Sequence, residues 1–302
     1  EYIRALDPYD HPIVCHTYPG KYDQVYQPLL GYENFEGPSL QTNDTHQQTL
    51  RWRVLSDKAG RKWVVNLDEI GPAHTGVKPD KDDPNHDEVR RKHLWGNLIA
   101  GVEWYFGYKY AHNDLNCEDF RSRANMWKQT RIARDFFQTH LPFHQMQPAD
   151  APTSAGDDYV FAQGGAVYAV YLPSGGTTKL ELPDAEYHVR WFNPREGGEL
   201  QIGSKKTVAG PGEIEIGMPP SETGSDWVAL VTFVHLGKAK PPQVDLPQPR
   251  IDAARPAQNN ANANVKAEDV AVTGFSLINA DTNAAIKGYE NVRGEVTVAV
   301  SK

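Results

Sequence analysis

Two successive carboxylates, Asp68 and Glu69, stand where the apolar run Lys62-Trp-Val-Val-Asn-Leu67 gives way to Ile70-Gly71-Pro72. An acid at the end of a buried strand is open to a substrate while the strand behind it holds it still. A third acid, Glu103, lies inside Val102-Glu-Trp-Tyr-Phe-Gly107, beside Trp104 and close to Tyr105 and Tyr108. Other short apolar runs also end on polar groups. His16 and Tyr18 close the first, Ser39 and Gln41 the second, and His74 follows Glu69. Acids among rings and amides suit a sugar, because rings stack on its C–H faces while amides and acids bind its hydroxyls. Breaking a glycosidic bond needs two carboxyl groups flanking it, one as nucleophile or base and one as acid. Glu69 is the best single candidate for a reacting carboxylate, although on residue chemistry alone an ordinary strand-end acid is equally open. The binding set around it is His16, Tyr18, Gln41, Asp68, His74, Glu103, Trp104 and Tyr108.

Positioning such groups is the work of the flanking elements. His11-Pro-Ile-Val-Cys-His16 and Phe35-Glu-Gly-Pro-Ser-Leu-Gln41 read as strands, as do Lys62–Leu67 and Val102–Phe106. Helices are expected over Thr42–Ala59, with Asn43 or Asp44 as N-cap and Gly60 beyond the end, over Asp87–Gly101, and over Ser122–His140. Strand, loop and helix repeated about four times imply a parallel sheet covered by helices, half of a (β/α)8 barrel. Residues 157–236 change to short alternating strands separated by Gly- and Pro-rich turns, the pattern of an antiparallel β-sandwich. The expected organisation is α/β followed by all-β. A half barrel covers 1–150, a β-sandwich 155–238, a Pro/Asn/Ala-rich linker 239–267 and the start of a further β-domain 268–302.

Composition narrows the function. The 302 residues carry 31 Lys and Arg against 39 Asp and Glu, a formal net charge of −8 without a long basic stripe. That argues against nucleic acid as a partner, since phosphates are bound by clustered cations. No apolar run reaches the ~18 residues of a membrane span. The two cysteines, Cys15 and Cys117, form no metal-binding pair, and His140 and His144 straddle Pro142 rather than sharing a helical face. The acidic stretch Asp80–Asp87 lacks the glycine and glutamate of an EF-hand loop. No metal and no cofactor are therefore expected, and the expected partner is a carbohydrate.

Several blocks resemble a known family. They are His11-Pro-Ile-Val with His16-Thr-Tyr-Pro-Gly20, Phe35–Gln41, Asp68-Glu-Ile-Gly-Pro-Ala73, Leu94-Trp-Gly-Asn97, Gly101–Tyr108 and Glu118–Arg123. Together they resemble the second half of glycoside hydrolases related to the apiosidase-like (β/α)8 barrels. Tyr159-Val-Phe-Ala162, Val170–Gly176 and Trp191–Arg195 resemble the module that follows such barrels, labelled a collagen-binding domain of a collagenase. The resemblance implies that the strands at 13–16, 35–40, 63–67 and 102–106 are the fifth to eighth of the barrel. Glu69 then takes the nucleophile position after strand seven, and the acid/base, which belongs after strand four, lies upstream of Glu1.

Further expectations follow from that resemblance. Both ends of the chain read as cut, so the 302-residue polypeptide is expected to lack the N-terminal half of its own barrel and to be inactive alone. The family is usually exported by bacteria, which implies an extracellular or periplasmic location for the full-length protein. The competing expectation is a non-catalytic carbohydrate- or matrix-binding protein on a degenerate barrel. The sequence offers no feature specific for a collagen triple helix.

Overall fold

A computed structural model describes residues 2–70, 77–100, 120–150, 153, 157–234 and 239–246. The expected strand at 102–106, Cys117, most of the linker and the further β-domain at 268–302 lie outside the described residues.

The first part combines a parallel sheet with helices. After a short helix α1 (Tyr2–Leu6) come β1 (Val14–His16), α2 (Tyr22–Tyr26), β2 (Gly37–Gln41), α3 (Thr45–Lys58) and β3 (Asn66–Glu69). The strands lie side by side in the order β1-β2-β3, both pairings parallel. Successive side chains of a strand alternate between faces. Trp63, Val65 and Leu67 accordingly turn one way and are buried with Leu40, Tyr22, Tyr26 and Trp52 beneath α2 and α3. Tyr26 meets Trp52 edge-on at 5.2 Å, and Trp52 stacks on Trp63 at 6.0 Å. On the other face Val14 and Val64 remain 44% and 51% exposed. One side of the parallel sheet is thus packed against helices, while the other carries buried Ser39 and Gln41 beside the exposed Val14 and Val64.

The strand bases are tied together by Glu36. Its carboxylate accepts from the Ile13 amide at 2.5 Å, from Arg4 at 2.7 Å and from Arg61 at 3.0 Å. Gly37 is required where β2 meets the run into β3, because a Cβ there would lie 1.8 Å from the Val64 carbonyl oxygen.

The expected helix at 87–101 is in fact a π-helical stretch, Val89–Trp95, continued by α4 (Gly96–Ile99). Helix α5 (Ala124–His140) follows, its buried face formed by Met126, Ile132, Ala133 and Phe136.

The second part comprises β4 (Gln147–Pro148), β5 (Tyr159–Gln163), β6 (Val167–Leu172), β7 (Lys179–Leu182), β8 (Glu186–Phe192), β9 (Thr207–Ala209), β10 (Gly212–Glu215) and β11 (Trp227–Phe233). A six-stranded antiparallel sheet runs β4-β5-β6-β11-β8-β9, and β7 pairs with β10 in a separate ribbon. The large sheet is buried on both faces, and alternation sorts its side chains. Tyr168, Val170 and Leu172 with Trp227, Ala229 and Val231 pack against Leu180 and Leu182 of the ribbon. Their neighbours Ala169, Tyr171, Val228, Leu230 and Phe192 join Trp95 and Phe136 in the same core as the parallel sheet. Trp95 stacks on Tyr171 at 5.2 Å with an interplanar angle of 8°. The apolar core therefore runs without a break from the helices into the sandwich. Part of the expected linker also docks: Gly164 and Gly165 leave room for the backbone of Pro242 and Val244, which a Cβ would strike at 1.8 and 2.3 Å.

Candidate functional site

The polar row expected at the strand ends is assembled by one irregularity. Ser39 pairs with Asn66 and Leu40 with Leu67, but Gln41 pairs with Glu69, so Asp68 is an extra residue in β3. Such a bulge lets two consecutive residues of one strand face the same side. Asp68 and Glu69 do so. Ser39 Oγ donates to Asp68 Oδ2, and Gln41 Nε2 donates to Glu69 Oε2 at 2.6 Å. Ser39 and Gln41 share a face because they are two apart on β2. Both acids lie within β3, whereas the sequence pattern puts them just after a strand ending at Leu67. The strand is extended because the bulge keeps Glu69 in the ladder, where its carbonyl also accepts from the Thr42 amide at 3.1 Å.

His16 completes the row, its Nδ1 lying 3.0 Å from Ser39 Oγ. The Ser39 proton is committed to Asp68, so Nδ1 is the donor to Ser39. The order His–Ser–Asp places serine in the middle, unlike a nucleophilic triad, where histidine separates serine from the acid. This chain of bonds orients Asp68 rather than activating Ser39.

Two tyrosines on α2 that sequence reasoning missed, Tyr22 and Tyr26, brace the row from behind; their i, i+4 spacing is the signal that could have found them. The Tyr22 hydroxyl donates to the Gln41 carbonyl at 2.6 Å and accepts from the Gln41 amide at 3.0 Å. The Tyr26 hydroxyl donates to the Ser39 carbonyl at 2.9 Å. Burial pushes both phenols well above their ordinary range, with the Glu69 charge adding to the effect at Tyr22, so each stays a protonated donor.

Of the expected binding residues, the structure brings His16, Gln41, Asp68 and Glu69 into this row. Gln41 is buried, Asp68 and Glu69 are half-buried, and His16 is open to solvent. Tyr18, 66% exposed after the end of β1, takes no hydrogen bond with the row among the described residues. His74, Glu103, Trp104 and Tyr108 lie outside the described residues. Among the described residues no group of three or more His, Cys, Asp or Glu forms a metal cluster, and no helix is long and apolar enough to cross a membrane.

Sequence reasoning missed the polar contacts that join the two parts, because their members are far apart in the chain. Buried Asp226, at the head of β11, accepts from Arg90 Nε and Nη2, both at 2.8 Å, and from the Tyr171 hydroxyl at 2.8 Å. Buried His46 on α3 reaches the Gly96 carbonyl through Nδ1 at 2.6 Å and Asp150 through Nε2, and stacks on Tyr159 at 4.0 Å. A carbonyl and a carboxylate both require donors, so His46 is held as the imidazolium. Burial alone would lower its pKa, but the Asp150 charge and hydrogen bond and the Gly96 carbonyl outweigh burial and raise it.

Comparison with known proteins places these features. Residues 149–232 match the family described as "Putative collagen-binding domain of a collagenase". No curated protein matches the chain by sequence. Among solved structures, a glycoside hydrolase aligns with 76% of this chain and 59% of its own, at TM-score 0.56 and 13% identity. A family 5 glycoside hydrolase from Bacteroides vulgatus aligns with 82% of this chain and 60% of its own, at TM-score 0.53 and 16% identity. The chain thus spans about three-fifths of the length of each. The mixed helix-and-sheet fold is similar to part of each of these two structures, and the segment matching the collagen-binding-type family is the antiparallel part packed beside the helices.

Proposed function

We propose that this chain is the nucleophile-bearing part of a barrel-type glycoside hydrolase acting on an oligo- or polysaccharide. The observation that carries this reading is Glu69, fixed at the C-terminal end of a parallel strand by the Gln41 amide on a fold shared with such hydrolases. Ends of parallel strands are where barrels of this kind place their reacting groups. In the proposed reaction a Glu69 carboxylate oxygen attacks the anomeric carbon as the glycosidic bond breaks, and water later releases the sugar from the resulting ester. Asp68, His16 and Gln41 bind sugar hydroxyls beside it.

Asp68 is not the second carboxyl group. As the chain neighbour of Glu69 on one strand, it approaches from the same side, whereas the acid must protonate the departing oxygen across the bond. The acid/base comes instead from another part of the complete barrel. The face bearing Val14, His16, Ser39 and Gln41 is read as the inner barrel wall that the remaining strands complete. The 302 residues alone are accordingly expected to bind sugar weakly and not to turn it over.

Glu69→Gln in the complete protein tests this, with turnover and sugar binding measured side by side. Turnover falling by several orders of magnitude with binding kept is the expected result. Unchanged turnover removes Glu69 as nucleophile. A second reading has its own support in the family match of residues 149–232: a matrix- or carbohydrate-binding protein on a degenerate barrel. A complete protein that binds glycans or collagen peptides, and hydrolyses no glycoside with or without Glu69, favours that reading.

A further inference from the structure

A polar cleft of about 410 Å3 opens where the π-helical stretch and α5 face the loops before β9 and β11. It shares no residue with the row around Glu69. Its volume falls within the ~300–1,000 Å3 of small-molecule sites, but its walls are not the apolar ones such sites usually have. Its floor is rigid. Arg90 and Arg91 are consecutive, yet both reach Asp226, at 2.8 and 3.4 Å.

Charge decides what such a cleft accepts. Each lining cation faces a carboxylate: Arg90 and Arg91 face Asp226, Lys128 meets Glu196 at 2.6 Å, and Arg195 meets Glu222 at 2.6 Å. A free anion or cation would have to displace a partner already in place. Between the ion pairs lie amide and hydroxyl residues, namely Asn85, Asn125, Gln129 and Ser225. Asn125 and Gln129 each donate one amide hydrogen, to the Pro84 and Asn85 carbonyls, at 3.0 and 2.7 Å. As amides they keep a second hydrogen and an accepting oxygen, while the Ser225 hydroxyl can both donate and accept. A peptide would find the donors and acceptors but little apolar wall for its side chains. A ligand whose own groups both donate and accept, and which carries no charge, fits: a polyhydroxylated one.

We propose that this cleft is a second binding site, for a neutral oligosaccharide held at the seam between the helical part and the sandwich.

The test uses the 302-residue chain, isotope-labelled, titrated with cellotriose, xylotriose and chitotriose, and with a sulfated heparin oligosaccharide as the charged comparator. At least one neutral trisaccharide is expected to bind saturably, with shifts centred on the amides of residues 85, 125 and 129. Asn85→Trp, which plugs the mouth from an exposed position, is expected to weaken that binding at least tenfold. Glu69→Gln is expected to leave it unchanged, which separates this site from the proposed reaction centre. Lys128→Ala, at a 47% exposed side chain, gives a second reading should the tryptophan perturb folding, and is expected to weaken binding severalfold. The proposal is overturned if no neutral sugar binds, if only the sulfated one does, or if binding survives both cleft variants, whatever the effect of Glu69→Gln.

Discussion

Replacing Asp226 with alanine should be among the most damaging changes to this fold. The side chain is fully buried and receives two guanidinium bonds from Arg90 and a hydroxyl bond from Tyr171, all at 2.8 Å. Removing it strands the Arg90 guanidinium, itself only 1% exposed, with Asp87 and the Asn85 carbonyl as remaining partners. Breaking a buried pair by deleting one member costs ~3–5 kcal/mol. At ~2–4 °C per kcal/mol for a unit of this size, Tm should fall by ~6–20 °C. Tyr171→Phe, which deletes one bond and leaves the ion pair, should cost only ~1 kcal/mol. Calorimetry on the single variants and on the Arg90→Met/Asp226→Leu pair closes the argument. The pair should be milder than Asp226→Ala alone, because the Arg90 charge is removed with its partner, leaving only Tyr171 and the longer Arg91 and Arg195 contacts to lose Asp226. A loss below ~1 kcal/mol for Asp226→Ala, or a pair as damaging as the sum of its members, would refute the idea that this contact clasps the two parts.

The remaining predictions concern pH and the strand ends. His46 titrates above its ordinary 6.5 when folded, so its contribution is complete below 6.5 and is lost as pH rises through the raised value. Urea melts should show stability declining on the alkaline side, and His46→Phe should flatten that slope. Asp158 is pushed up to about 6, chiefly by burial, against a Thr178 hydrogen bond that pulls it down, with the Asp157 and Asp150 charges adding to the rise. Its folded value exceeds the unfolded one, so stability is lost as pH climbs from about 4 through about 6. Asp158→Asn should therefore raise Tm at pH 8 yet change it little at pH 4, and an Asp158 carboxyl resonance titrating near 4 would contradict this. At the strand ends, loss of turnover in Glu69→Gln is the outcome expected of the complete protein.

What could be read from the residues was what repeats locally. The apolar runs located β1 and β2 to within a few residues and the short alternating strands of residues 157–236 as a group, and the i, i+4 pattern located α5, because burial on one face leaves that periodicity in the chain. The polar ends of those runs yielded His16, Gln41, Asp68 and Glu69 as neighbours. The bulge that turns Asp68 and Glu69 to one side was not legible, since a ladder's register depends on a partner strand some 28 residues away. Nor was the π-helical stretch at Val89–Trp95, whose apolar spacing passes for an α-helix. The Arg90–Asp226 contact spans 136 positions and leaves no local trace. The two-residue strand β4 was too short for any alternation to show.

The core shared by the helices and the large sheet changes what kind of object the sandwich is. A recognition cassette moved between proteins by recombination meets its host through a polar, water-tolerant seam. Here Trp95 lies flat on Tyr171, and Phe136 packs against Phe192 at 4.6 Å. Excised at residue 149, each piece would present those rings to solvent and aggregate rather than fold. The same seam sets an expectation for relatives: a smaller residue at position 95 should be accompanied by a compensating change at 171 or 192, which sequences of relatives would check.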